Sequence, residues 1–183
     1  MPGPYTREPK EFAEKVVQVN RVSKKTKGGN QIGFSVLMVV GDKKGRVGVA
    51  LGKAPDVLSS IKKGIRKAKK HLIRVPLKKK SIPFAIQSKH GAAKVLLKPA
   101  PPGSGIIAGG AVRAVVEAAG VTDIVGKILG SDNQANNVYA TFKALDEIRR
   151  INKIKKTTHP GKENKNSKNQ PAKKVAKPTK KSK

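Results

Sequence analysis

The chain has 183 residues, with 41 Lys and Arg against 11 Asp and Glu, a formal net charge of +30. Cysteine is absent and aromatics make up only 3%, which excludes a disulfide scaffold, a thiolate metal site and a cysteine nucleophile. No stretch approaches the roughly 20 apolar residues of a membrane helix, so the composition points to a soluble cytoplasmic protein whose partner is a polyanion.

Residues 1–10 read as an N-terminal extension, and Glu8, Glu11 and Glu14 depart from a secretory signal. A first domain is expected over 11–76. Pro9–Lys15 suits a short leading helix, and Val16–Ser23 a strand with partial alternation. Lys27-Gly28-Gly29-Asn30 is a turn signal, because Gly and Asn tolerate positive φ. Gln31–Val40 is a second strand with Phe34, Val36 and Met38 on one face. Gly41–Gly45 is another tight turn, and Arg46–Lys53 a third strand. Pro55 suits the first position of a helix. Leu58, Ile61, Ile65, Ala68 and Leu72 then recur at helical spacing and predict an amphipathic helix with that stripe inward. This first domain reads α-β-β-β-α.

Pro76 ends it, and 77–81, with Lys78-Lys79-Lys80, reads as a linker. A second α+β domain is expected over 82–151. It opens with strand-like Ile82–Ile86 and Lys94–Lys98, followed by a Pro/Gly loop over Pro99–Gly105. Ala108–Ala119 predicts a buried helix capped by Gly120. Asp123–Leu129 is a strand, and Asn133–Arg150 a last helix with Val138, Thr141, Phe142, Leu145 and Ile148 inward. From Asn152 to Lys183 there are 12 Lys and one acid, with three prolines and few apolar residues. Such a stretch cannot bury enough apolar area to offset its ordering entropy and reads as a disordered basic tail.

The charge is unevenly spread. Residues 61–80 hold 10 basic side chains and no acid, whereas 81–151 hold 8 and 5. Lys62, Lys63, Arg66 and Lys67 crowd the outer face of the first helix, where an ordinary solvated face mixes both signs. In an α-β-β-β-α domain this arrangement resembles double-stranded-RNA-binding modules, which read A-form shape and phosphates. The loop between the first two strands is the sharper site. Arg21, Ser23, Lys24, Lys25, Lys27 and Asn30 surround Gly28 and Gly29, whose bare backbone allows close approach to phosphate or sugar. Arg46 and Lys53 extend the basic surface. The pattern leaves open whether helix or loop makes the main contact. Phe34, Phe84 and Phe142 look internal, so backbone and groove recognition of folded RNA fits better than base stacking on a single strand.

Catalytic groups are sparse. His71, His90 and His159 have no spaced partner for metal binding or nucleophile activation, and the acids suggest no general acid–base pair. The segment Gly103–Gly110 lies between a strand and a helix, where nucleotide loops lie, but its spacing is GxGxxxG and no Gly-Lys-Ser/Thr closes it. Asp123 is the nearest candidate for a ribose-binding acid. A packing loop that lets backbone or another protein come close is the preferred reading. A nucleotide-binding enzyme is the alternative, and no cofactor or metal is expected.

Several strings taken together carry a resemblance. Val19-Asn20-Arg21-Val22-Ser23-Lys24, Lys27-Gly28-Gly29, Val39-Val40-Gly41-Asp42, Gly45-Arg46-Val47-Gly48 and Gly52-Lys53-Ala54 resemble the first domain of the bacterial ribosomal protein S-five family. The string from Gly103 through Val115, then Glu117-Ala118-Ala119-Gly120-Val121 and Ala140-Thr141, resembles its second domain. The resemblance implies a double-stranded-RNA-binding-like first domain and a βαβ-type second one. It also implies a structural role on 16S-type rRNA near the head–body junction and the mRNA entry side, with small-subunit proteins S-four and S-eight as neighbours and no homo-oligomer. By the same resemblance, Gly103, Ser104, Gly105, Gly109, Gly110 and Arg113 lie near the S-four interface and bear on decoding accuracy. Two places depart from the family pattern. Gly130-Ser131-Asp132-Asn133-Gln134 stands where Gly-Ser-Ser/Thr-Asn-Pro is usual, and Tyr139 stands where Lys or Arg is common.

Overall fold

A computed structural model of the chain describes residues 11–158. The described residues form two four-stranded sheets and three helices. The first sheet has the order β1(Ala13–Thr26), β2(Gly29–Gly41), β3(Arg46–Ala54), β4(Ile73–Arg74), all antiparallel. Helix α1(Val57–Lys70) crosses one of its faces. The second sheet has the order β5(Ile86–His90), β6(Ala93–Pro99), β8(Ile124–Ile128), β7(Ile106–Ile107), with β7 parallel to β8. Helices α2(Gly110–Ala119) and α3(Gln134–Thr158) pack on one side of it.

Alternation along β2 and β3 feeds two cores. Val40 and Ala50 point at α1 and meet Ala68. Leu37, Val39, Val47 and Val49 point the other way and join Val112, Val115, Leu145 and Ile148 of the second half in one continuous cluster. The sheet is thus covered on both faces, which is why β2 is buried without a break from Ser35 to Gly41. The two expected domains meet in a packed seam rather than through a bare linker.

The seam closes on the C-terminus of α2, whose last carbonyls lack helical partners. The Lys43 amide donates to the Ala118 carbonyl at 3.1 Å, and the Gly45 amide to Ala119 at 2.9 Å. Gly120, at φ +84°, donates to Glu117 and turns the chain out. The β2–β3 turn therefore caps a helix of the other half.

Several expectations are corrected. The leading helix does not form over its described part, because Ala13–Lys15 already pair with β2; Pro9 and Lys10 lie outside the described residues. Pro55 precedes Asp56, the N-cap of α1, instead of sitting inside the helix. The buried stripe of α1 is Ser60, Gly64 and Ala68; of the expected stripe, Ala68 is buried, Ile61, Ile65 and Leu72 are half-buried, and Leu58 is 72% exposed. Small residues win there because the helix backbone lies directly on the strands. A Cβ on Gly52 or Gly48 would strike the Ser60 or Ala68 carbonyl. Ile82–Ile86 is not a strand, and β5 begins only at Ile86. Lys78 pairs with Ser81 in an isolated bridge, so the expected linker is a tight turn. Finally, α3 continues to Thr158, so the segment read as disordered from Asn152 begins with helix; the remainder of that tail lies outside the described residues.

Candidate nucleic-acid interface

β1 and β2 pair from Ala13/Gly41 out to Thr26/Gly29, whereas β3 reaches β2 only as far as Phe34. Beyond that point the two strands continue alone as a ribbon, projecting roughly 16 Å at the usual rise per residue. Its tip is the two-residue turn at Lys27-Gly28, and the Thr26 hydroxyl closes it by donating to the Gly29 carbonyl at 2.8 Å. Gly29 sits at φ +128°, a conformation that disfavours any side chain. Nothing lies within 4 Å of a Cβ placed on Gly28 or Gly29, so the tip backbone is open to a ligand.

Arg21, Ser23, Lys24, Lys25, Lys27 and Asn30 are all exposed on this ribbon. Among the described residues, none of its four cations has an ion-pair partner. Lys53 lies at the ribbon's base, opposite Ser35. A surface groove of about 300 Å³ runs there between Val22, Lys24, Gln31, Ile32, Lys53 and Pro55. Lys62, Lys63, Arg66 and Lys67 are exposed on the side of α1 away from the buried Ser60–Gly64–Ala68 stripe. Ribbon, Lys53 and the outer face of α1 thus each present exposed cations in the first half of the molecule.

Arg46 does not join them. Its Nε donates to Asp42 at 2.6 Å, and its guanidinium lies 5.2 Å from the Phe12 ring centre. It sits at the far end of β3, roughly 23 Å from Lys53 along the strand. Burial works against the Asp42 carboxylate, but hydrogen bonds from the Arg46 side chain and from the Arg46 and Lys44 amides hold its pKa below the ordinary value. Arg46 is thus a fixed part of the β2–β3 turn.

Sequence reasoning missed Val22 and Ile32, which are 40% and 45% exposed on the ribbon. The signal was available: a two-residue turn fixes the register, and the register sets both side chains beyond the reach of β3. The three phenylalanines expected to be internal, Phe34, Phe84 and Phe142, are half-buried. Tyr139 is half-buried too and tilts against His90 at 5.3 Å. Its burial raises the phenol pKa against a hydrogen bond from the Leu51 backbone.

The second predicted surface has an internal organiser. The Asp123 carboxylate accepts the amides of Gly103 at 3.0 Å and Gly105 at 3.1 Å through one oxygen, and the Thr122 hydroxyl at 3.1 Å through the other. Gly103 and Gly105 both have positive φ, which aims their amides inward. The chain's own carboxylate thus fills the anion nest that a nucleotide phosphate would need, which removes the basis of the enzyme alternative. Around Gly103, Gly105 and Gly110 nothing among the described residues approaches within 4 Å of a Cβ, so close packing within the described fold does not account for these glycines. Gly109 differs, because Ile128 lies against it. Arg113 donates to the Ile106 carbonyl at 3.0 Å and stays exposed. Among the described residues no group of three or more His, Cys, Asp or Glu is placed to hold a metal ion.

The Gly105 amide holds the Asp123 pKa below its ordinary value, with Thr122, the Gly103 amide and Lys80 adding and desolvation opposing. A depressed carboxylate contributes stability above the unfolded value, near 4, and loses it as the pH falls through the folded value. Asp123→Asn is therefore expected to free the Gly103–Gly105 loop. Amide exchange at Gly103 and Gly105 should quicken by at least about tenfold, the scale of a lost charge-assisted hydrogen bond, and the acid limb of the unfolding curve should become shallower. Unchanged exchange would show that the loop is ordered without the carboxylate.

Two family models match the chain. They are Ribosomal protein S5, N-terminal domain, over residues 12–76, and Ribosomal protein S5, C-terminal domain, over residues 88–158. The chain is 51% identical over 144 residues to small ribosomal subunit protein uS5 of Chloroflexus aurantiacus, covering 79% of this chain and 81% of that one. It is 51% identical over 146 residues to uS5c of Pyropia yezoensis, covering 79% and 84%. To uS5 of Mycoplasmopsis agalactiae it is 54% identical over 140 residues, covering 76% and 61%.

Proposed function

The chain belongs to the ribosomal protein S5 family, and on that footing we propose that it is a structural constituent of the small ribosomal subunit in the cytoplasm, holding 16S-type rRNA through phosphate and shape contacts. The family is one of ribosomal structural proteins and not of enzymes. The observation that carries the RNA contact is the ribbon from Arg21 to Asn30, whose cations project from the body with no carboxylate paired to them among the described residues. Lys53 and the α1 row of Lys62, Lys63, Arg66 and Lys67 broaden that contact. In this reading the protein sits at the head–body junction beside the mRNA entry side. The loop that Asp123 holds, with Arg113, meets protein S-four and so bears on decoding accuracy. Protein S-eight is a second neighbour.

Counterion release provides the test. Each phosphate contact steepens the fall of log affinity with log salt by roughly 0.7–0.9. The four ribbon cations alone thus give a slope of at least about 3 for the full chain on small-subunit rRNA. A slope worth a single contact would overturn the reading. Because α3 extends to Thr158, a deletion meant to remove only the basic tail must begin after that residue. Removing 159–183 should weaken incorporation into small subunits without abolishing it, as quantitative mass spectrometry of purified subunits would register. Complete exclusion would place the principal contact in the tail.

A further inference from the structure

The second sheet has one face covered by α2 and α3 and the other covered by nothing among the described residues. Inward, Ser88, Ala93, Val95, Leu97 and Ile124 are buried. The opposite set in the alternation is half-buried or exposed and is mixed: Gln87 and Lys89 of β5 give it a polar margin, but its centre is not the polar surface that an antiparallel sheet turns to water. Ile107 is 58% exposed, Val125 37% and Leu129 47%. Ile107 stands directly opposite Val125 across β7 and β8.

The pairing of β6 with β8 sharpens the pattern. Leu96 faces Lys127, and Lys98 faces Val125. One diagonal of this four-residue square is apolar and the other is cationic. An aliphatic track thus runs from Ile107 through Val125 to Leu96, with a lysine on each flank. Lys94 lies one step further along β6, where its carbonyl accepts the Leu129 amide. No Asp or Glu occurs in β5, β6, β7 or β8, and among the described residues no ion pair relieves these lysines. Diagonal neighbours on a sheet lie close enough to interact, so Lys98 and Lys127 repel each other while aliphatic area stays wet.

We infer that this open sheet face docks an acidic, amphipathic segment of another protein, with an apolar spine along the Ile107–Val125–Leu96 track and carboxylates toward Lys98 and Lys127. The inference rests on the ribosomal reading above and adds to it a surface outside the Gly103–Gly105 loop. Charge complementarity selects an acidic occupant, and the aliphatic centre selects protein. Apolar residues at the middle with charge at the margin is the anatomy of a protein interface. An RNA surface is polar throughout and stacks its bases on aromatics, which this face lacks.

The test places a benzophenone side chain at Val125 in the full chain, irradiates purified small subunits and identifies the adduct by mass spectrometry. Leu129, exposed on the same face, carries a second probe in case the first disturbs folding. The expected adduct is a protein peptide with Asp or Glu beside the cross-linked residue. Its yield should fall at least tenfold when the same chain carries Lys98→Glu and Lys127→Glu, with incorporation unchanged. An adduct to rRNA, an adduct indifferent to the charge reversal, or no adduct in subunits that contain the chain would each overturn the inference alone. Absence of the chain from the subunits would overturn the ribosomal reading and this inference with it.

Discussion

Lys24→Glu together with Lys27→Glu is expected to lower affinity for small-subunit rRNA by about a hundredfold. Both residues stand on the part of the ribbon that β3 does not reach, and neither has an ion-pair partner among the described residues. A hydrogen bond to a charged group contributes about 1.5 kcal/mol or more, so two lost contacts amount to roughly two powers of ten. The salt slope should flatten by roughly 1.4–1.8, the share of two phosphates. The thermal midpoint should not move, because the pairings of β1 with β2 at this point are made by backbone and both side chains are exposed. The comparison that isolates the ribbon is Lys98→Glu with Lys127→Glu, which changes the net charge equally but lies on the other sheet. Equal losses from the two pairs would mean that total charge, and not the ribbon, governs binding.

Gly120→Ala is expected to be the most damaging single methyl addition at the seam. Gly120 sits at φ +84°, and a Cβ there would fall inside the contact radius of the Lys43 carbonyl. Left-handed backbone costs a non-glycine residue about 1–2 kcal/mol, and overpacking against a neighbour that cannot yield costs about 1–3 kcal/mol more. The neighbour here is backbone, and it is anchored: Lys43 and Gly45 donate to Ala118 and Ala119, so the turn cannot retreat without uncapping α2. A loss of about 2–5 kcal/mol is large against a typical total of about 5–15 kcal/mol, and corresponds to a midpoint lowered by roughly 10 °C. Gly110→Ala is the control, since a Cβ there meets nothing within 4 Å; its effect should stay within about 0.5 kcal/mol. Calorimetry of the two variants that gave equal midpoints would refute the seam as described.

Much of this arrangement was legible in the residues. Turns announced themselves at Lys27-Gly28-Gly29 and Gly41–Gly45, because positive φ and tight reversals select Gly, Asn and Asp. The Ala- and Val-rich run before Gly120 identified a buried, capped helix. The α1 stripe was legible only in part, at Ala68 and its half-buried neighbours, because spacing identifies a face fully only when the buried residues are large. Ser60, Gly64 and Ala68 carry almost no hydropathy signal, and they are buried because Gly48 and Gly52 across the interface are equally small. Ile82–Ile86 has strand composition, yet its first residues turn inward as packing after the Lys78–Ser81 bridge, a tertiary preference that no local window contains.

At the site, the cations of the ribbon were legible because charge without counter-charge is a property of sequence. Arg46 stands apart from the ribbon because it pairs with Asp42, four residues away, which was read only as a turn residue; its side chain remains 51% exposed. Asp123 was singled out for its distance from the glycines, but its role is the reverse of the one considered: it supplies the anion instead of awaiting one. The open face of the second sheet depends on the pairing of β6 with β8, strands separated by a loop, a short strand and a helix, and no sequence window spans that register.

On the proposed function, the chain is a component of the small ribosomal subunit and is held there by charge. Sedimentation of a cell lysate through a sucrose gradient at stepwise salt measures it directly. The chain should travel with the small-subunit peak at one copy per particle and move to the top of the gradient only at high salt. A chain found at the top of the gradient at low salt, or bound to the particle with no response to salt, would contradict it.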